Sequence, residues 1–492
     1  MRKILPLCKC ILFFVLVAGV LVVAFRVTGR KESIRKYADL HDASNADVLF
    51  LGSSHVINAV NPVQLYEDFG IASFNLGGHG SILPASYYEL LCALDHFDPQ
   101  LVVVDGYMME RDYHYVDEMT EAYTDSERAA AVSQLHLNLD IFPLSRTKIH
   151  AVRDLIADRS KQAEFFFPFI LYHNRWSSLT GDDLISPDRS PLSNRLLGAE
   201  IRTGLDYRIA PHTMGDEEQD PDTVHTGEQY LQMILAACRE RNIDVVLTFL
   251  PCNSTAEDRQ TAARLEAVGA AEQIPCLNLL NEEIVDLRTD FSDEGHLNLR
   301  GMTAVTDRIG RFLNENLALP DRREDPAYRL WADRAEQYDK TLDDMLLQAN
   351  TLSEALLMLS SGRTTRNAVL YLSGTGAAIG DPAVKNLLDA QLPGNVLRAA
   401  TEKEEPAVFV LPANGTPSAI TGYQVTGWEE TSLGELETIQ VENFTGLYLD
   451  HNESDNLLDM EDNRLADAQL VLFSGDGTIE KRLIFYYGNS SS

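Results

Sequence analysis

Residues 47–70 read DVLFLGSSHVINAVNPVQLYEDFG. Asp47–Leu51 ends in an unbroken apolar run, stops at Gly52-Ser53-Ser54-His55, and gives way to a short helical pattern over Pro62–Phe69. A continuous apolar run of this length is the pattern of a strand buried on both faces, as in a parallel sheet covered by helices. Such sheets bind ligands beyond the carboxyl ends of their strands. A serine at that end is therefore a candidate nucleophile as well as an ordinary turn or helix-cap residue.

The alternation continues on both sides of a break. Ala72–Leu76 reads as a strand, Ala85–His96 as a helix, and LVVVD, Leu101–Asp105, as a second fully buried strand. From Tyr107 to about Asp222 the rhythm is lost in an aromatic and charged stretch that reads as a long insertion. It resumes with a helix over Glu228–Arg241, a strand over Asp244–Leu250, a helix over Ala256–Val268, a short strand over Cys276–Leu279 and a helix over Leu299–Asn316. Strands alternating with helices predict an α/β fold with a three-layer parallel sheet and right-handed crossovers. The charged segment LPDRREDP, Leu319–Pro326, reads as a hinge. Beyond it come a helical region to about Ser360 and strands at Ala368–Ser373, Ala407–Leu411, Thr438–Val441, Gly446–Leu449 and Gln469–Ser474. A helix is expected near Pro382–Ala390, and the turn GDGT pairs the last of these strands with Leu483–Tyr487. The expected domains are residues 1–30, a catalytic-type domain over 38–320 with its insertion at about 107–222, and an α+β module over 326–492.

The N-terminus differs from the rest. Ile4–Phe25 is apolar except for Lys9, which is about the length that crosses ~30 Å of hydrocarbon. No small-x-small cleavage site follows it, so an uncleaved signal anchor, a single transmembrane helix, is expected. Residues 27–45 read as a polar tether. Arg2, Lys3 and Lys9 precede the apolar run and Arg26, Arg30, Lys31, Arg35 and Lys36 follow it, so loop charge alone favours a cytoplasmic body. The formal net charge is −33, from 74 acidic and 41 basic residues. This argues against a nucleic-acid partner, whose phosphates require clustered Lys and Arg. The six cysteines form neither a disulfide framework nor a zinc spacing; Cys252 and Cys276 read as free thiols beside strand ends. No metal and no cofactor is expected.

A serine hydroxyl is unreactive at neutral pH without a base, a group that orients the base, and donors for the oxyanion. Each has a candidate after a strand. In DFSDEGHLNLRGMTAVTDRIGRFL, Asp290–Leu313, His296 stands three residues after Asp293, a spacing that lets a carboxylate hold one ring nitrogen on a loop. In FNLGGHG, Phe74–Gly80, glycines let backbone N–H groups approach a ligand. Taken singly, Gly-Ser-Ser is a cap, Ser292 or Asp293 caps the following helix, and the glycine stretch is a loop. Their joint occurrence, in order, points to acyl chemistry.

In this order GSSH, NLGGHG and DEGHLN resemble the SGNH (GDSL-like) hydrolase superfamily over roughly Ala46–Leu317. The resemblance implies a flavodoxin-like domain in which Ser54 is the nucleophile, Asp293 and His296 the acid and base, Gly80 an oxyanion donor and Asn75 the polar residue opening the second block. Two positions depart from the pattern. Ser53 stands where the family carries an aspartate before the nucleophile, and Met108 stands where the oxyanion asparagine is expected. The apolar N-terminus, the GSSH form and the insertion resemble a membrane-tethered, extracytoplasmic branch that includes the D-alanyl transfer protein and alginate O-acetylation proteins. That likeness implies a cell-membrane protein with its body outside. Its partners would be a membrane-bound O-acyltransferase and a cell-surface glycan or acylated cell-wall polymer, and it opposes the charge count on orientation.

Within the insertion, Tyr172, His173, Arg175 and Trp176 are candidate substrate-binding residues, with Trp176 stacking on a sugar and Arg175 gripping an anion. The same residues equally fit an aromatic cap packed on the domain. The expected function is a serine-dependent acyl esterase or O-acyltransferase; a non-catalytic glycan-binding or scaffold protein on the same fold is the alternative, supported by Met108.

Overall fold

The computed structural model describes residues 4–29, 31–110, 135–156, 159–167, 169–181, 196–212, 224–373, 378–392, 406–413, 415–421, 426–441, 444–450, 456–459 and 466–487. The chain divides into two compact units. The first comprises Met1–Glu200, Thr213–Glu282 and Thr306–Arg334; the second comprises Ile201–His212, Glu283–Val305 and Ala335–Ser492.

The first unit is built on a parallel sheet of β1 (Val48–Leu51), β2 (Ser73–Asn75), β3 (Leu101–Asp105), β4 (Asp244–Phe249) and β5 (Cys276–Asn278). The strand order is β2-β1-β3-β4-β5, with every neighbouring pair parallel. This is the flavodoxin-like winding, in which the chain's direction of travel across the sheet reverses between β1 and β3. All residues of β1, β2 and β3 are buried. Val, Leu and Phe stand on both faces of the sheet because helices cover both.

Local chemistry sets the helix ends around β1. Ser53 caps α3 (Ser54–Ala59) by accepting the His55 N–H. Asn61 caps α4 (Pro62–Phe69), whose first residue, Pro62, has no N–H to lose. Asn61 donates its own N–H to Thr306 Oγ1 at 3.0 Å, and that hydroxyl donates to Ala59 O at 3.1 Å, joining α3 and α4 to the helix over Leu299–Asn316. Asp47, just before β1, accepts from Arg322 Nε at 2.8 Å and Nη2 at 2.9 Å, and the guanidinium lies over the Tyr328 ring.

Ile4–Thr28 forms one helix, α1. Apolar side chains from Ile11 to Val23 are exposed along it. Among the described residues no helix is long and apolar enough to cross a membrane; the described side chains of α1 run without a gap only over 9–24. The expected polar tether is instead largely helical: α2 spans Lys31–Asp42. Its Asp39 pairs with Arg334 at 2.8 Å and its Leu40 is buried, so packing on one face organises a stretch whose composition suggested a linker.

The insertion packs its apolar side chains onto the start of α5 (Leu83–Ala93). Ile82 and Ala85, the latter on α5, pack with Leu135, Leu139, Ala151, Val152, Leu155, Ile156 and Phe165. Much of the insertion, 111–134, 182–195 and 213–223, lies outside the described residues.

The second unit is mainly antiparallel. After the hairpin β6 (Phe291–Asp293) and β7 (His296–Leu297) come β8 (Asn367–Leu372), β9 (Ala407–Leu411), β10 (Ser418–Thr421), β11 (Thr426–Thr431), β12 (Gly434–Val441), β13 (Phe444–Leu449), β14 (Ala468–Phe473) and β15 (Ile479–Phe485). They form a five-stranded sheet ordered β10-β9-β8-β14-β15 and a three-stranded sheet β11-β12-β13. Val369, Tyr371, Val408, Val410, Leu436, Leu447, Val471 and Phe473 share one apolar cluster. The β14–β15 hairpin turns through the expected Gly-Asp-Gly-Thr, with Gly477 in the left-handed region at φ 83°.

Candidate active site

The candidate residues divide between the two units: Ser54, Asn75 and Gly80 belong to the first, Asp293 and His296 to the second. Ser54 is the first residue of α3, directly beyond β1. It therefore lies at the β1/β3 reversal, where doubly wound sheets place their ligands. Gly52, which turns the chain out of the strand, has φ 152°, and a Cβ there would stand 2.6 Å from Val56 Cγ2 and 2.9 Å from Asp105 Cβ. Only glycine fits this bend. His55 is buried, its ring 3.8 Å from that of Tyr107, which meets Phe249 edge-on. This imidazole is a packing element under the turn.

Beside the turn, the glycine loop after β2 is held at nearly every backbone group. Asn75 Nδ2 donates to Val56 O at 2.8 Å and Val60 O at 2.9 Å, while its Oδ1 accepts the Gly77 N–H at 2.9 Å. Both amide hydrogens are thus spent on carbonyls, so Asn75 ties the loop to α3 and has no donor left for an oxyanion. The Gly78 N–H donates to Gly52 O at 2.9 Å, which registers the loop against the serine turn. Asn138, from the insertion, grips His79 twice, accepting its N–H at 2.9 Å and donating to its carbonyl at 3.0 Å. The His79 ring lies 3.1 Å from Glu200 Oε1. Gly80 adopts φ 57°, a left-handed conformation that side-chain-bearing residues avoid. Lys36 Nζ donates to Gly77 O at 2.5 Å.

Under the sheet end sits Asp105, the last residue of β3, 1% exposed. Burial pushes its carboxyl up to about 7, against the Leu250 and Tyr107 N–H groups that favour the charge. Met108, the residue in the place of the expected oxyanion asparagine, packs against the apolar core of the insertion.

In the second unit, β6 and β7 meet through a tight Asp293-Glu294-Gly295-His296 turn. Asp293 Oδ1 lies 2.7 Å from His296 Nδ1 and accepts the Gly295 N–H at 3.1 Å. Arg202 Nη1 donates to Asp293 Oδ2 at 2.7 Å. Burial works to raise the Asp293 carboxyl, but the hydrogen bond and charge of His296, the Gly295 N–H and the Arg202 guanidinium outweigh it and hold the group below the usual carboxylate range. Hydrogen bonding of Nδ1 to a carboxylate places the proton on Nδ1 and leaves Nε2 as the basic nitrogen. Ser292 Oγ donates to His296 O at 3.1 Å, and Asn298 caps the following helix through the N–H groups of Arg300 and Gly301. Both conserve the turn's shape.

The four insertion residues do not form one surface. Tyr172 is buried and donates to Asp140 at 3.4 Å; His173 Nδ1 lies 2.6 Å from Ile170 O. Arg175 Nη1 donates to Thr28 O at 2.7 Å and Gly29 O at 3.0 Å, at the carboxyl end of α1. Of the four, His173 and Trp176 are exposed, Trp176 at 57%. Tyr172 and Arg175 thus pack within the cap, while His173 and Trp176 stand on its surface. Asn138, Glu200 and Arg202 were not singled out in the sequence, since none sits in a motif, and Lys36 entered only as one of the positive charges beyond the apolar run; Asn138 and Arg202 act on residues far along the chain. Cys252 and Cys276 are both free.

No family model matches the chain, and no curated protein does. Among solved structures, a protein of Bacteroides fragilis named provisionally as an acylhydrolase matches at 11% identity, covering 55% of this chain and 87% of that one, with a TM-score of 0.27.

Proposed function

We propose that this chain is a serine-dependent acyl esterase or O-acyltransferase that works through an acyl-Ser54 intermediate. The observation that carries the reading is the Asp293–His296 contact of 2.7 Å, with the carboxylate held from its other oxygen by Arg202. The His296 side chain is 23% exposed and the Asp293 side chain 46% exposed. An imidazole paired this closely with a half-exposed carboxylate adds little to stability as a surface pair, whereas orientation of a basic Nε2 is what acyl transfer needs.

In the proposed reaction Ser54 Oγ attacks the acyl carbon and its proton passes to His296 Nε2. The carbonyl electron pair moves onto oxygen, where backbone N–H groups of Ser54 and the glycine loop receive it. Collapse expels the donor oxygen, which takes the proton from His296 and leaves acyl-Ser54. Water or an acceptor hydroxyl then attacks the ester by the same steps, giving hydrolysis or transfer. Gly80 is proposed as an N–H donor. Asn75, with both amide hydrogens spent, is proposed to position the loop.

The acceptor is proposed to be a cell-surface glycan or cell-wall polymer and the donor side a membrane-bound O-acyltransferase, with α1 as the membrane anchor and the body extracytoplasmic. Those elements rest on the sequence resemblance alone. A second reading, a non-catalytic glycan-binding scaffold, is favoured by Met108, which offers an oxyanion no donor and packs with the insertion core.

A fluorophosphonate probe separates the two. Labelling of the full chain, read by peptide mass spectrometry, is expected at Ser54. It should be abolished by Ser54→Ala and reduced by at least about 10³-fold by His296→Ala. A folded protein that takes no label, yet binds cell-wall polymer as well after Ser54→Ala as before, would establish the scaffold instead.

A further inference from the structure

We propose that Lys36 is a positioning residue for the glycine loop: from α2 it holds the Gly77 carbonyl and so keeps the loop in register with the Ser54 turn. The proposal deepens the acyl-Ser54 reading and rests on it for its functional consequence.

The contact is built rather than incidental. Lys36 reaches from α2 to Gly77 O at 2.5 Å, across 41 positions of sequence. The residue as a whole is half-buried, but its ammonium end is enclosed, and burial lowers its pKa against the opposing pull of Glu89 and Glu200. An enclosed ammonium costs several kcal/mol unless charge and hydrogen bonds compensate it. Here the compensation is also attached to the loop. Glu89 on α5 is 2% exposed; its Oε1 accepts from Ser81 Oγ at 3.3 Å, and Ser81 is the residue after Gly80. Glu89 Oε2 is buried with no hydrogen-bond partner among the described residues. Such an oxygen is tolerable beside a cation, or protonated. Burial, outweighing Lys36 and Ser81, pushes the carboxyl up to about 7. Glu200, the other acid facing Lys36, is 3.1 Å from the ring of His79, again a loop residue.

The consequence for the site follows from the loop's own bonds. The Gly77 peptide groups are fixed on both sides, its N–H by Asn75 Oδ1 at 2.9 Å and its carbonyl by Lys36. The next N–H, of Gly78, shares a peptide plane with the Gly77 carbonyl. Rotating that plane would break the 2.9 Å bond from Gly78 N to Gly52 O, the bond that joins the loop to the strand end carrying Ser54. Two glycines in succession have little intrinsic resistance to such a rotation. Lys36 supplies the resistance from outside. Misplacement of a donor by about 1 Å is enough to cost roughly 10²-fold in rate.

The test uses the full chain with Lys36→Met and, as a charge-neutral control, the double variant Lys36→Met/Glu89→Gln, which removes the buried cation and the buried acid together and leaves Glu200 on the His79 ring. Two quantities are read: the fluorophosphonate reaction at Ser54, resolved into probe affinity and maximal rate, and hydrogen exchange of the amides in residues 77–81. Lys36→Met is expected to lower the maximal rate about 10- to 100-fold with probe affinity within about twofold, and to speed exchange at Gly78. The double variant should melt with the wild type and keep the loss. A double variant that reacts at the wild-type rate, or unchanged exchange at Gly78 in both variants, overturns the proposal. Should the wild-type serine prove inert, the acyl-serine reading fails by itself, while the exchange measurement still decides the clamp.

Discussion

The loop around Ser54 and the hairpin of His296 solve opposite problems. The loop is immobilised by backbone and buried side-chain bonds: Asn75, Asn138 and Gly52 each take a loop group at 2.9–3.0 Å. The hairpin leaves its side chains partly in water and is oriented by charge, with the Asp293, His296 and neighbouring Arg202 side chains 46%, 23% and 36% exposed. The difference is the one the two proposed roles call for. Donors to a developing oxyanion are effective only if they need no reorganisation. A group that takes up and releases a proton must remain able to carry either charge, which full burial opposes.

The contrast can be broken first at the loop. Gly78→Ala would place a Cβ 2.7 Å from Ser81 Cβ and 2.9 Å from Asn138 Cγ. Phosphonate labelling of Ser54 is expected to fall by about 10²-fold or more, with far-ultraviolet circular dichroism unchanged. Wild-type labelling would mean the loop is not where catalysis is decided. Arg202→Met probes the hairpin. Asp293 keeps its bonds to His296 and Gly295, so a loss of roughly 3- to 10-fold at neutral pH is expected. The sign of the pH effect is fixed. Arg202 helps hold the Asp293 carboxyl low, so without it protonation begins at higher pH as acid is added, and the acid limb of the rate profile should move up. An unmoved limb would remove Asp293 from the reaction.

The smallest effect is expected at Asp105, beneath both the turn and the strand end. Its carboxyl is raised by burial to about 7, from about 4 in an unfolded chain. Its stabilising contribution is therefore complete below about pH 4 and is lost as pH rises through 7. Asp105→Asn cannot ionise and can still accept the Leu250 N–H. Between pH 5 and 8.5 the wild type should lose roughly 2–4 °C more in melting temperature than the variant. Parallel curves would show that Asp105 is charged in the fold and compensated.

Much of the fold is written in short-range pattern. LVVVD is β3 without a residue to spare, and the helix expected over Leu299–Asn316 is found there. The Gly-Asp-Gly-Thr turn joins the strands it was expected to join, although β15 begins at Ile479, upstream of the expected Leu483. The clearest miss is α2. Residues 27–45 carry many charges and few large apolar groups, so composition reads as linker, yet Asp39 and Leu40 pack inward and Lys36 reaches the glycine loop. The aromatic run at 165–176 was ambiguous for a related reason: exposure, not residue type, separates Trp176 from Tyr172.

Periodicity and glycine placement were enough to locate the five strands of the parallel sheet and the bends beyond them, because each depends on backbone geometry within a few residues; the short strands β6, β7, β10 and β11 carried no such pattern. The supporting partners came only from tertiary structure: Lys36 on Gly77 across 41 positions, Asn138 on His79 across 59, Arg202 on Asp293 across 91. Any lysine, asparagine or arginine can make such a bond. Which one does is set by how helices and loops close over a core, and that choice leaves no mark on local sequence.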